Sequence, residues 1–394
     1  MGMAWTDKRV WTAAGLMLFL AAPAHAEGAR AWASFDGRRV LRQGAEGMAD
    51  KATGRRLTPA DPVRIASISK LAVAIGVMRL VQAGTIDLDR DVSLYLGWPL
   101  RNPAFPDGAI SLRQLLSHTA GVRDGIEYAL PLDASLEAAM RDGKAWDAAH
   151  AAGAYFTYSN LNFPIIAAVM EAATGKRFDA IMADMVFRPL KIDACFNWTT
   201  CSDGAVRRAV VLYNPDGSVA RDDLHGARPA CGAIPASDGS CDVATYRLGR
   251  QGAFFSPQGG MRISPLGLAV LGQVLAGKRP RFLSAASVAA MTAPVWTYDG
   301  TNGETEGGFH CAYGLGVMIL APSGRPTACR DDPFGDGVTR VGHAGEAYGL
   351  RSGVWVDPKT GRGVSFYATE LPADTPKGRS AFTAAEEAMI DRVR

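Results

Sequence analysis

The chain has 394 residues, 48% hydrophobic and 21% charged, with a formal net charge of +3. So small a balance, without a clustered basic stripe, gives no electrostatic case for a nucleic-acid partner. Ordinary globular composition excludes a fibrous or disordered chain, and the length suits one large domain or two interleaved ones, with no internal repeat.

Lys8 and Arg9 precede an apolar run from Val10 to Ala22 and the small-x-small site Ala24-His25-Ala26. This predicts a secretory signal peptide over residues 1–26, a periplasmic or secreted mature chain, and no membrane span after cleavage. An N-terminal anchor is the alternative, disfavoured because the run is short for a bilayer. Next, ARAWASFDGRRVLRQGAEG alternates about Asp36-Gly37 and predicts a β-hairpin. In RIASISKLAVAIGVMRLVQAG the apolar residues Ile68, Leu71, Ile75, Met78 and Val81 follow helical spacing up to Gly84. After an aspartate-rich loop, SLRQLLSH and LNFPIIAAVMEAATG read as helices, the second ending at Gly175, and FDAIMADMVFRPL as another stopped near Pro189.

Residues 191–257 carry cysteines and Asp-Gly turns but few periodic runs, the pattern of an irregular segment held by disulfides. A helix resumes at SPLGLAVLGQVLAG. Strand-like runs follow in AYGLGVMIL, LRSGVWVD and GVSFYATE, and SAFTAAEEAMIDRV closes the chain as a helix. Strands at both ends with helices between predict an α/β (α+β) fold. Its antiparallel sheet, flanked by helices, would be built from residues 27–90 and 285–394, with a mainly helical domain inserted over 91–284.

The six cysteines, Cys195, Cys201, Cys231, Cys241, Cys311 and Cys329, all follow the expected signal. An even count in an exported chain suggests disulfides, and six cysteines allow fifteen pairings. Their spacing as neighbouring pairs favours Cys195–Cys201, Cys231–Cys241 and Cys311–Cys329. The last would close a two-strand excursion in which CAYGLGVMIL and PTACR flank the turn at Ser323-Gly324. No CxxC occurs and the histidines are scattered, so no metal site is expected.

Three short words could carry chemistry. In Ser67-Ile68-Ser69-Lys70 a serine and a lysine one helical turn apart share a face. The lysine could take the serine's proton if burial or another cation favours its neutral form. Alone, such a spacing arises by chance in a chain this long. In Tyr158-Ser159-Asn160 the tyrosine could relay a proton and the asparagine could donate to a substrate amide; the plain alternative is a packing aromatic before a helix cap. The third word has two candidates. His343-Ala344-Gly345 offers a polar side chain, a glycine admitting substrate backbone, and a following N–H for an oxyanion. Lys359-Thr360-Gly361 follows Asp357-Pro358 between two alternating runs and reads as a hairpin turn.

The order S-x-x-K, Y-x-N, H-x-G resembles the serine β-lactamase and penicillin-binding protein superfamily, in its class C-like branch. DD-peptidases, D-aminopeptidases and β-lactamase-like esterases belong to that branch. RIASISK, SLRQLLSHTAGV, FRPLKI, GGMRISPLGL and the GHAG…G…DP…G pattern extend the likeness over about residues 60–370. The resemblance implies an acylated Ser67, with Lys70 and Tyr158 sharing its activation and no cofactor. It implies Asn160 and Gly345 at the substrate, His343 in place of the K-T-G lysine, and an oxyanion hole from the backbone N–H groups of Ser67 and Glu346. Ser69 and His118 read as structural residues.

The departures narrow the substrate. A histidine near neutrality offers no fixed charge for a β-lactam carboxylate. Ala344 lacks the threonine hydroxyl, Thr369 stands where lactamases of the branch often carry asparagine, and an inward Glu346 would repel anions. Together these favour small esters or amides, including D-amino-acid peptides derived from peptidoglycan. A class C-like β-lactamase and a penicillin-binding sensor that acylates without turnover are the rival readings.

Overall fold

The computed structural model describes residues 28–394, so the expected signal peptide lies outside the described residues. Asp36 closes the first hairpin by accepting backbone N–H bonds from Arg38 and Arg39. It joins β1 (Arg30–Phe35) to β2 (Val40–Glu46). The remaining strands of the main sheet lie near the far end of the chain. They are β3 (Trp296–Thr297), β4 (Ala312–Tyr313), β5 (Met318–Leu320), β6 (Arg340–Ala347), β7 (Leu350–Val356) and β8 (Gly363–Ala368). Their spatial order is β3-β4-β5-β6-β7-β8-β1-β2, antiparallel throughout. β1 therefore lies beside β8, with Trp32 opposite Phe366, and the two ends of the chain meet in mid-sheet.

Strand side chains alternate between faces, and both faces of β7 and β8 are apolar. Val354, Val356 and Tyr367 join one core with the helices α1 (Ser69–Gln82), α2 (Asn162–Thr174) and α3 (Pro265–Leu275). Trp355, Val364, Phe366 and Ala368 join a second core with Met389, Ile390 and Val393 of α4 (Ala384–Val393). A strand buried on both faces reads as a continuous apolar run, which is how GVSFYA is composed. α1 is buried almost all round and α2 ends at Gly175 in the left-handed conformation, φ +66.

Several boundaries differ from expectation. Ser67 lies in a 3-10 turn, Ala66–Ile68, and α1 begins only at Ser69. The last helix starts at Ala384 rather than Ser380, because Thr383 and Glu386 form a capping box. The three disulfides pair sequentially, as expected. The excursion inside Cys311–Cys329 is different: PTACR forms no strand, and β4 pairs with β5 directly. β4 is occupied on both edges, by β3 and β5, so it has no edge left for a third strand. The bridge instead ties residue 329 to the 305–310 turn, where Arg330 N–H donates to the Gly308 carbonyl.

The irregular segment hangs on buried polar anchors. Glu171 of α2 accepts from the Tyr246 hydroxyl, Gly249 N–H and Phe178 N–H. Arg262 holds Asp222 through two hydrogen bonds. Among the described residues, no helix is long and apolar enough to cross a membrane.

Replacing Cys311 and Cys329 together by serine should cost about 3 kcal/mol, as expected for a closed loop of this size. Denaturant unfolding of the double variant, with its midpoint lowered and its slope little changed, checks this.

Candidate active site

The site grows from the short strand Val63–Arg64, which pairs with Met261–Ile263 and delivers the chain to Ile65. Ala66 then adopts φ +56, a left-handed conformation that costs a non-glycine residue about 1–2 kcal/mol. The kink lifts Ser67 out of the line of α1. Ser69 fixes the kink, since its hydroxyl donates to the Ala66 carbonyl (2.7 Å) and accepts from Met261 N–H (3.0 Å). Ser69 is thus the structural residue expected.

Lys70 follows one turn later and is fully buried. Its Nζ lies 2.8 Å from Asn160 Oδ1, 2.9 Å from the Gln258 carbonyl and 3.1 Å from Ser67 Oγ. A neutral amine has two N–H bonds and one lone pair. The two oxygens that cannot donate take the N–H bonds, leaving the lone pair for the one partner with a proton, Ser67. Burial pulls the Lys70 pKa down to about 7, against the opposing charge of Asp124. The arrangement therefore holds a general base beside an alcohol.

Tyr158 lines the cavity beside Ser67. Burial pushes its pKa well up, only partly offset by the serine hydroxyl, so the phenol keeps its proton at neutral pH. Its ring is clamped between His118 (centroids 4.4 Å apart) and His310 (4.9 Å). His118, at φ +58, accepts at Nδ1 from Ser159 N–H (3.0 Å), with Asn162 Nδ2 at 3.1 Å. Burial first, then the charge of Lys70, drives its pKa well down and keeps the ring neutral.

Asn160, expected at a substrate amide, stands between Lys70 and Asp124. Its oxygen is taken by Lys70, and its nitrogen donates to Asp124 Oδ2 at 2.8 Å. Asp124 also accepts from Ser159 Oγ (2.8 Å), Asn160 N–H (2.9 Å) and Leu161 N–H (3.0 Å). One carboxylate thus holds the whole Tyr158–Asn160 loop and the start of α2. The sequence reading missed it, because no local pattern marks a cap supplied from 36 residues away.

His343 stands on β6 in the cavity wall, 1% exposed. Its Nδ1 lies 2.5 Å from the Ala344 carbonyl and its Nε2 lies 2.8 Å from the Tyr313 hydroxyl. Burial chiefly, with the charge of Lys70, lowers its pKa to about 3. Both nitrogens have partners and the ring carries no charge. At Gly345 a Cβ would lie 2.5 Å from the Ile65 carbonyl and 3.3 Å from Ser67 N, so only glycine lets β6 lie against the serine turn. Glu346 faces Arg351 across the β6–β7 pair and forms an ion pair with it; its side chain is mostly exposed. Thr369 is buried and donates to the Ala29 carbonyl, apart from the cavity. Lys359-Thr360-Gly361 lies in the β7–β8 turn, where Asp357 accepts from Lys359 N–H and Thr360 Oγ1.

A cavity of about 150 Å³ opens at Ser67, Tyr158, His343 and Gly345. Its other wall, which no sequence motif announced, comprises Glu306, Phe309, His310, Arg351, Lys377 and Glu386.

Residues 19–388 match the family described as Beta-lactamase. The chain belongs to that family. It is 31% identical over 173 residues to esterase EstB of Burkholderia gladioli, covering 40% of this chain and 43% of the esterase. It is 26% identical over 206 residues to a D-aminopeptidase of Brucella ovis, covering 50% of this chain and 36% of the peptidase. The chain thus spans less than half the length of these relatives. Among solved structures it is similar to EstCE1, a hydrolase with promiscuous acyltransferase activity (TM-score 0.67, 20% identity, 92% of each chain). At that identity the likeness shows the fold.

The buried amine makes a stability prediction. Below about pH 7 Lys70 is charged in both folded and unfolded states, and the folded state bears the full cost of burying the charge. As pH rises from there toward the ordinary lysine value, the folded group sheds its proton and the cost fades. The melting-temperature difference, Lys70→Met minus wild type, should therefore be more positive at pH 6 than at pH 9 by thermal denaturation.

Proposed function

We propose that this protein is an exported serine hydrolase that cleaves small esters or amides through an acyl-enzyme on Ser67. The observation that carries the reading is the Lys70 amine, whose two N–H bonds are matched to Asn160 and Gln258 and whose third contact is the Ser67 oxygen. Ser67 Oγ attacks the carbonyl carbon as Lys70 takes its proton, and the backbone N–H groups of Ser67 and Glu346 receive the developing oxyanion. Tyr158, held protonated, supplies the proton that the leaving oxygen or nitrogen needs. Lys70 restores the proton of Tyr158; water then attacks the acyl carbonyl, Lys70 takes its proton and passes it to Ser67 Oγ as the acyl–oxygen bond breaks, and the acid departs. Substrate would lie between the sheet and the helical part of the chain, residues 91–284.

The neutral, doubly bonded His343 argues against the β-lactamase reading, because it offers no cation to a β-lactam carboxylate. The relatives' names, an esterase and a D-aminopeptidase, support esters and D-amino-acid amides, including peptides from peptidoglycan, as the classes to try. Three disulfides support export.

Ser67→Ala should lower hydrolysis of a short-chain nitrophenyl ester by a factor on the order of 10⁴ or more. Retained turnover would defeat the assignment, and a wild-type acyl adduct that accumulates on Ser67 without product would favour the sensor reading. In wild type, kcat/KM should climb with pH through about 7, as Lys70 gives up its proton and can accept that of Ser67.

Asp124→Asn should lower kcat/KM roughly ten- to hundredfold through a loosened Tyr158–Asn160 loop. It should also move the acid limb of the profile to lower pH, because a negative charge that favours protonated Lys70 is gone. A purely structural lesion would leave the limb in place.

A further inference from the structure

Three carboxylates border the cavity that holds Ser67, and they are not equivalent. Glu346 is ion-paired with Arg351. Glu386 accepts from both the N–H and the hydroxyl of Thr383. Glu306 accepts no hydrogen bond from any described residue. His310 Nε2 lies 3.8 Å from it, beyond hydrogen-bond range.

His310 is 3% exposed, and it too makes no side-chain hydrogen bond: Nδ1 is buried without a partner and the Nε2 edge faces Glu306. The Glu306 side chain is 56% exposed, so its carboxylate meets solvent at the mouth of the cavity, and the Nε2 edge of His310 lies beside it with no protein partner of its own. Burial, chiefly, lowers the His310 pKa to about 3, so the ring supplies no positive charge to offset Glu306. The neighbouring Glu304 is already ion-paired with Arg123. Of the two cations on this wall, Arg351 is paired with Glu346, and Lys377 is exposed, with Nζ 6.0 Å from the Phe309 ring centroid.

The backbone adds an independent sign. Glu306 adopts φ +50, and the two residues after it, Gly307 and Gly308, are also left-handed. Thr305 caps this turn from inside, its carbonyl accepting the N–H groups of Gly308, Phe309 and His310, and the Cys311–Cys329 bridge clamps its end. A non-glycine residue held in that conformation costs about 1–3 kcal/mol and persists only where its surroundings impose it. Here the turn presents one carboxylate to the cavity.

We propose that Glu306, with the Nε2 edge of His310 and the face of Phe309, forms an ammonium subsite, so that the substrates of this cleft carry a free amine near the reacting carbonyl. The class is that of amino-acid amides, esters and N-terminal residues of short peptides, as opposed to simple alkyl esters. A carboxylate supplies charge-assisted acceptance, and the Phe309 ring supplies a face that attracts cations. The placement rests on the acyl-enzyme reading only in taking Ser67 as the point of attack.

The test separates the two claims by measuring binding without turnover. Ser67→Ala would be titrated with D- and L-alaninamide and with their N-acetyl derivatives, followed by NMR. Free-amine ligands should bind at least about tenfold more tightly than the acetylated ones, as loss of one charge-assisted hydrogen bond implies. Adding Glu306→Gln should bring the two within about twofold, while Glu306→Asp should keep most of the preference. Equal binding of amine and acetylated ligands to Ser67→Ala would overturn the subsite, and so would a preference that survives Glu306→Gln. Neither result touches the nucleophile, whose assignment stands or falls on ester hydrolysis.

Discussion

Everything at this site follows from placing one amine in a dry pocket with acceptors for only two of its protons. Lys70 cannot be hydrated there, and Asn160 and Gln258 fill two of its three positions. The third is left to the serine. Charging the amine is costly because no carboxylate touches it; Asp124 acts only from behind Asn160. The same arrangement requires α1 to be buried on nearly every side and the Asn160 loop to be held rigidly. A solvated lysine at the same spacing would be an ordinary cation.

The histidines show how the fold protects that balance. His118, His310 and His343 all lie near Lys70, and any of them, protonated, would disturb the amine. Burial keeps all three neutral. Two of them serve as flat walls for Tyr158, which fixes the phenol by stacking and leaves its hydroxyl free for Ser67. A tyrosine placed by aromatic faces needs no hydrogen bond for orientation, so its one proton stays available.

The fold class, the sheet drawn from both chain ends, the disulfide pairing and the three motifs were legible because each is written locally, in alternation, helical spacing or neighbouring cysteines. The choice of His343 over Lys359 was legible as well, since Asp357-Pro358 marks a turn by its own chemistry. Asp124, Glu306 and His310 were not. Each acts through contacts between distant segments, and an aspartate after HTAGVR or a glutamate in a Gly-rich stretch has no periodic or spacing signature. The hold of Asp124 on Asn160 was hidden for the same reason: nothing local shows that a carboxylate arriving from elsewhere takes one of its N–H bonds. The start of α1 was misplaced because helical spacing continues through Ser67 while the backbone does not.

Gly345 has a consequence for when the protein can work. The serine turn lies near the beginning of the chain, and the strand that closes on it lies near the end, packed so tightly that no side chain fits between them. β1, the first strand, is likewise paired with β8, the last. A growing chain therefore carries Ser67 long before it has the cavity, because neither the sheet nor the wall opposite Ser67 exists until these strands arrive. Order of synthesis thus keeps Ser67 apart from its cavity until β6, β7 and β8 have been made.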